Sequence, residues 1–110
     1  MRIWLDDCRD APSNYMHAYS VNEAKALIMR AEQNNEPIEL LDLDHDLGDY
    51  YPDGGDGIKL ILWLAETERY YPIILHTMNP VGRQNMQAMI DRYWPKKENY
   101  KWRGSLNRET

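Results

Sequence analysis

One cysteine, Cys8, stands among 110 residues, so no intrachain disulfide can form and no thiolate cluster is available for zinc. A cytoplasmic compartment is the default expectation. No apolar run approaches the ~20 residues that span a bilayer. The opening Met1-Arg2-Ile3-Trp4-Leu5-Asp6 meets charge too early for a signal peptide, and no membrane association is expected. Internal repeats and low-complexity tracts are missing. Positive charge is scarce too: 13 Lys+Arg against 18 Asp+Glu give a net charge of −5 and a pI near 5.1. That balance argues against sequence-blind wrapping of nucleic acid, and no sequence-specific DNA binding is expected. What remains, 43% hydrophobic and 28% charged, describes one folded domain over residues 1–110 with a polar tail from about residue 104.

The charge is unevenly placed. Residues 1–56 carry 4 Lys+Arg and 13 Asp+Glu, whereas residues 57–110 carry 9 and 5. An acidic half meeting a basic half suggests a site that holds a cation and a phosphate together.

Short apolar runs mark the strands. Ile3-Trp4-Leu5 stops at Asp6-Asp7, Ile38 to Leu43 runs into Asp44-His45-Asp46, and Pro72-Ile73-Ile74-Leu75 ends at His76-Thr77-Met78-Asn79. Tyr15 to Tyr19 is a further candidate, and Tyr100 to Trp102 a possible edge strand. Between them, Ser20-Val21-Asn22-Glu23 is a capping box, with Val21, Ala24, Leu27, Ile28 and Ala31 on the inner face of the helix it opens. A second helix is predicted over roughly Ile58 to Thr67, with Ile58, Ile61, Leu62 and Ala65 inward. A third starts at Pro80 with Asn79 as its cap and Met86, Met89, Ile90 and Tyr93 inward. Strands alternating with amphipathic helices predict a small three-layer α/β domain with a mainly parallel sheet. In such sheets ligands bind beyond the carboxyl ends of the strands. The titratable residues cluster at those ends.

Asp6, Asp7, Asp44 and Asp46 crowd carboxylates at one edge, an arrangement relieved by a cation or by shared protons. Hard oxygen donors without cysteine suit Mg²⁺ or Mn²⁺. Asp42 alternates with Asp44 and either faces the same side or is a satisfied strand carboxylate. His45 and His76 each follow an apolar strand. They could serve as base and acid in phosphodiester cleavage, help to hold a transition metal, or simply be hydrogen-bonded structure. His17 has no such company and reads as structural. Asn79-Pro80-Val81-Gly82-Arg83 opens a helix whose free amides, close-approach Gly82 and guanidinium of Arg83 suit a phosphate. Asp53-Gly54-Gly55-Asp56-Gly57 lacks the spacing and lysine of a P-loop and reads as a mobile wall or lid. Tyr50 and Tyr51 there could stack on a base.

Taken together, these motifs resemble a receiver-type domain: Asp6-Asp7 after the first strand, Asp44 ending the central one, Asp56-Gly57 opening the next helix, and Thr77 ending the following strand. More specifically, the chain resembles the cyclic-phosphate processing receiver-like family. The likeness is carried by Leu5-Asp6-Asp7-Cys8-Arg9 with Pro12, Leu43-Asp44-His45-Asp46-Leu47-Gly48, and His76-Thr77-Met78-Asn79-Pro80-Val81-Gly82-Arg83 with Met86. It implies a receiver (flavodoxin-like) fold adapted to cyclic phosphates on nucleotides or RNA ends. It also implies paired acids holding Mg²⁺, phosphate contact by Thr77, and, in ordinary receivers, a phosphoryl acceptor at Asp44. Two departures stand out. The segment between Leu5 and Tyr15 is too short for the first crossover helix, and the fifth-strand lysine has only Lys96, Lys97 and Lys101 as candidates.

The resulting expectation is a metal-assisted cyclic phosphodiesterase. Asp6, Asp7, Asp44 and Asp46 hold the cation, His45 and His76 supply acid and base, and Thr77, Asn79, Gly82 and Arg83 bind the phosphate of a small ligand. The alternatives are a non-catalytic module that binds a phosphorylated nucleotide and a phospho-Asp44 signalling receiver.

Overall fold

A computed structural model of the chain describes residues 1–95. Four strands and three helices follow one another as β1 (Arg2–Leu5), β2 (Met16–Ala18), α1 (Val21–Gln33), β3 (Leu40–Leu43), α2 (Gly57–Glu66), β4 (Ile73–Leu75) and α3 (Pro80–Tyr93), with one 3₁₀ turn at Gly48–Tyr50. The sheet is wholly parallel in the order β2-β1-β3-β4. This is the expected receiver-like α/β fold with a parallel sheet, but the described residues build two layers rather than the expected three, because no helix joins β1 to β2. The possible strand at Tyr100–Trp102, the three candidate lysines and the polar tail lie outside the described residues.

Side-chain alternation gives the sheet two unlike faces. Ile3, Leu5, Leu41, Leu43 and Ile73 are all buried and form the core with the helices. Here α1 packs on β1, β2 and α2, and α2 packs on α3, so the three helices form one continuous layer. The opposite face carries the row His17, Trp4, Asp42 and Ile74, in register across the four strands. No helix covers that row among the described residues, because β1 connects to β2 through residues 6–15 without one. The connection itself folds over Trp4. The indole Nε1 donates to the Arg9 carbonyl at 3.0 Å, and the Tyr15 ring meets Trp4 edge-on with centroids 6.0 Å apart. An irregular loop thus covers part of what a crossover helix would shield.

The capping sequence works as read, with one shift. Ser20 Oγ accepts from the Glu23 amide at 3.1 Å, while the Glu23 carboxylate reaches the Tyr19 amide at 2.6 Å rather than that of Ser20. The inner face of α1 is the predicted one, Val21, Ala24, Leu27, Ile28 and Ala31. In α2 the buried set is Gly57, Leu60, Ile61 and Leu64 instead of Ile58, Ile61, Leu62 and Ala65. The correction has a plain cause: α2 lies between α1 and α3, so its stripe must turn toward the sheet and two neighbours at once. In α3 the buried residues are Gly82, Met86 and Ile90. Tyr93 is exposed and Met89 only partly covered, and Trp94 closes the helix end instead, its Nε1 donating to the Tyr71 carbonyl at 2.8 Å. Strand β3 is shorter than Ile38–Leu43, although the Glu39 amide still bonds to the Met1 carbonyl at 2.8 Å.

The Gly-rich segment is tied down rather than free. Asp53 accepts from Ser20 Oγ at 2.6 Å and Asn22 Nδ2 at 3.1 Å, so one carboxylate fastens the loop to the start of α1. Asp56 Oδ1 accepts from the Leu47 amide at 3.1 Å at the other end.

Away from the strand ends, Glu32 of α1 forms a two-toothed ion pair with Arg69, whose Nε and Nη2 each donate at 3.0 Å. The Tyr71 hydroxyl donates to the same carboxylate. Burial and that bond to Glu32 push the Tyr71 phenol up to about 12, against an ordinary value of about 10. A raised folded-state value favours the neutral phenol in the fold. Its stabilisation is therefore complete below about pH 10 and lost as pH rises through about 12. Urea denaturation across this range should show the wild type losing that increment, while Tyr71→Phe is less stable at neutral pH and lacks the increment's alkaline loss.

Candidate functional site

The strand ends are brought together by the sheet itself. The Asp6 amide bonds to the Ala18 carbonyl at 3.1 Å, the Asp44 amide to Leu5 at 2.9 Å, and the His76 amide to Leu43 at 2.9 Å. Each strand's pairing therefore continues one residue into its polar terminus and sets Asp6, Asp44 and His76 side by side.

Asp6 is 1% exposed and fully engaged. Its Oδ1 accepts from the Cys8 and Arg9 amides, each at 2.8 Å; its Oδ2 accepts from Arg9 Nε at 2.9 Å and stands 3.0 Å from His76 Nε2. Burial alone would raise its pKa, but the two amides, His76 and the guanidinium outweigh that and hold the carboxyl below its usual range. Asp44, also buried, accepts from the His45 amide at 2.7 Å and lies 3.5 Å from Arg9 Nη2. Asp7 behaves differently. Burial and the charges of Asp6, Asp44 and Asp49 push its carboxyl upward. It packs against Gly48, where the backbone has φ +53° and an added Cβ would meet Asp7 Oδ2 at 2.5 Å. Glycine avoids both the left-handed backbone penalty and a shift of the Asp7 carboxylate.

His76 lies on the helix-free face. Its ring stacks flat on Trp4, with centroids 3.8 Å apart and planes within 4°, and its Nδ1 is 2.6 Å from Asp42 Oδ1. Asp42 is thus not an idle strand carboxylate. It fixes the ring and sends Nε2 toward Asp6. His45 has its own carboxylate, with Nδ1 2.7 Å from Asp46 Oδ1. Bonding to His45, then to Asn79, keeps Asp46 below its ordinary value. The His45 ring packs on the backbone of α3, and a Cβ on Gly82 would lie 2.6 Å from it.

The predicted residues divide into two groups. Asp6, Asp44 and His76 could present ligand atoms within 4.8 Å of one another, and so could His45, Asp46 and Asp56. Asp46 therefore sits with His45 rather than with Asp6 and Asp44. The first group offers two carboxylates and an imidazole; the carboxylates alone suit Mg²⁺ or Mn²⁺, and the imidazole, if it joined them, would favour a transition metal such as Mn²⁺ over Mg²⁺.

At the start of α3, Asn79 Oδ1 caps the Gly82 amide at 3.0 Å while its Nδ2 reaches both oxygens of Asp46, at 3.2 and 3.3 Å. Thr77 is buried, with Oγ1 accepting from the Asn79 amide at 3.1 Å, and Arg83 Nη2 donates to the Leu75 carbonyl at 3.3 Å. His17 Nε2 is 2.7 Å from the Asp6 carbonyl and its ring stacks on Tyr19, the structural role expected of it.

Arg9 stands in the motif that carries the resemblance and Trp4 in the first apolar run, but the sequence assigns neither a role at the site. The spacing of Arg9 three residues after Asp6 was the available signal, but its meaning depends on the loop turning back over β1.

Residues 1–92, which hold every group described at the site, match the Cyclic-phosphate processing Receiver domain. The chain belongs to that family. No curated protein and no solved structure matches the chain significantly. No helix among the described residues is long and apolar enough to cross a membrane.

The closest packing at the site lies behind Asp44. A Cβ on Gly57 would fall 1.9 Å from the Asp44 carbonyl oxygen, a backbone atom that cannot rotate away. Gly57→Ala should destabilise the domain by about 1–3 kcal/mol, measured by urea denaturation, because strand end and helix start must separate.

Proposed function

We propose that the domain is a metal-assisted phosphoesterase that opens cyclic phosphates on nucleotides or RNA ends. The observation that carries this reading is a matched pair of histidines at adjacent strand ends, each anchored at Nδ1 by a carboxylate. His76 is held by Asp42 at 2.6 Å and His45 by Asp46 at 2.7 Å. A carboxylate at Nδ1 fixes the ring and leaves Nε2 as the atom that gives or takes a proton. In His76 that atom lies beside Asp6, and in His45 the ring lies against the first turn of α3.

Asp6 and Asp44 would hold the divalent cation, with Asp7 adding negative charge beside them and Asp46 serving the second histidine. The cation, when bound, polarises a phosphoryl oxygen. The chain's own residues do the rest. Arg83 and the start of α3, where Asn79 would have to release the Gly82 amide it now caps, would receive the remaining phosphate oxygens, and Thr77 sets the turn there. Trp4 lies flat against the His76 ring and holds its plane, so that its proton moves along one direction.

Purified protein should open a 2′,3′-cyclic nucleotide or a cyclic-phosphate RNA end when Mg²⁺ or Mn²⁺ is supplied, read by chromatography of the products. His76→Ala should cost about 10²–10⁴-fold in kcat/KM, the usual share of a positioned acid or base. Asp42→Asn should lower kcat with little change in KM. Folded protein that turns over no member of a broad panel of cyclic phosphates and metals rejects the reading.

A binding module without turnover is the second reading, favoured by the Arg9 guanidinium that already pairs with Asp6 and Asp44. Ligand binding that survives His45→Ala and His76→Ala, with no product formed, selects it.

A further inference from the structure

We propose that Arg9 is a resident counter-ion that competes with a divalent cation for the Asp6–Asp44 carboxylate pair. The inference rests on those two residues being the cation ligands of the function proposed above. It concerns what stands in the cation's way.

The competition follows from which oxygens are left. Asp6 Oδ1 is taken by the Cys8 and Arg9 amides at 2.8 Å, so Oδ2 is the oxygen that can turn to a cation. That atom already accepts from Arg9 Nε at 2.9 Å and also faces His76 Nε2 at 3.0 Å, so of its two partners the guanidinium is the permanent charge and the one able to withdraw to solvent. The second ligand is met the same way, with Arg9 Nη2 3.5 Å from Asp44 Oδ2. One guanidinium thus touches both carboxylates of the pair, through the oxygens a bound ion would use. A divalent ion beside it would sit within a few ångströms of a like charge. The two cannot share the pair in this arrangement.

The way out is also built. The Arg9 side chain is 46% exposed, so it can swing to solvent. Its backbone is anchored independently, through its amide on Asp6 Oδ1 and its carbonyl under Trp4 Nε1. Side-chain withdrawal therefore leaves the loop and Asp6 in place. Any substitution that keeps the backbone amide keeps those anchors too, which makes Arg9 a clean site to test.

The experiment uses the full chain and Mn²⁺ alone, with free Mn²⁺ counted by electron paramagnetic resonance. Arg9→Ala should bind Mn²⁺ more tightly than the wild type by about tenfold or more, since a whole positive charge leaves the pair. Arg9→Lys, which keeps the charge, should stay near the wild type. Adding Asp44→Asn to Arg9→Ala should abolish the gain. If Arg9→Ala does not fold by circular dichroism, Arg9→Gln gives the same reading. Equal or weaker Mn²⁺ binding after loss of the guanidinium overturns the proposal. So does a gain that persists in the double variant, because the ion would then sit elsewhere, as at His45, Asp46 and Asp56. Turnover of a cyclic phosphate together with an unchanged Mn²⁺ affinity in Arg9→Ala removes this inference and keeps the function. Tighter Mn²⁺ binding without turnover does the reverse.

Discussion

A carboxylate taken out of water must be met on all sides, and Asp6 is the residue on which this constraint falls hardest. An unpaired buried charge costs several kcal/mol, so the chain around Asp6 is arranged to prevent one. Two amides and a guanidinium come from the loop after β1, and an imidazole comes from the end of β4. Meeting that demand bends the β1–β2 connection over the sheet and draws His76 onto Trp4. It also makes Asp42 the outer member of a carboxylate–imidazole–carboxylate row. The arrangement of these strand ends is largely the solution to one desolvation problem.

The absence of a helix between β1 and β2 is part of the same solution. A regular helix there would lie over Trp4 and shut off the row that His76 occupies. The ten residues 6–15 cover Trp4 with a carbonyl and a tyrosine edge instead, leaving space beside the indole for the imidazole to stack. The helices meanwhile bury the opposite face and meet the site where Gly57 packs on Asp44 and Gly82 on His45.

The strands, the start and inner face of α1, and the meeting of Asp6, Asp44 and His76 were legible because they rest on local signals: apolar runs, a cap, and a period of 3.6. The inward faces of α2 and α3 were less so. Their stripes turn toward helical neighbours that a single periodicity cannot name, and so Leu60 and Leu64 replace Leu62 and Ala65. The role of Arg9 was hidden by the charge arithmetic. The uneven halves suggest a site holding a cation and a phosphate together, yet the charge that meets Asp6 and Asp44 is a guanidinium from the acidic half itself. Likewise the Gly-rich loop looked free because its fastening, Asp53 to Ser20 and Asn22, spans more than thirty residues.

The strand order carries a consequence for synthesis. Of the four strands β1 is made first but sits inside the sheet, between β2 and β3, and its terminal Asp6 finds its last partner at His76. A nascent chain halted before β4 therefore holds an acid whose neutralising set is incomplete, beside a tryptophan with nothing stacked upon it. The set around Asp6 is complete only once His76 has been made, so ordering of these strand ends comes late in translation, as for any architecture dominated by distant pairings.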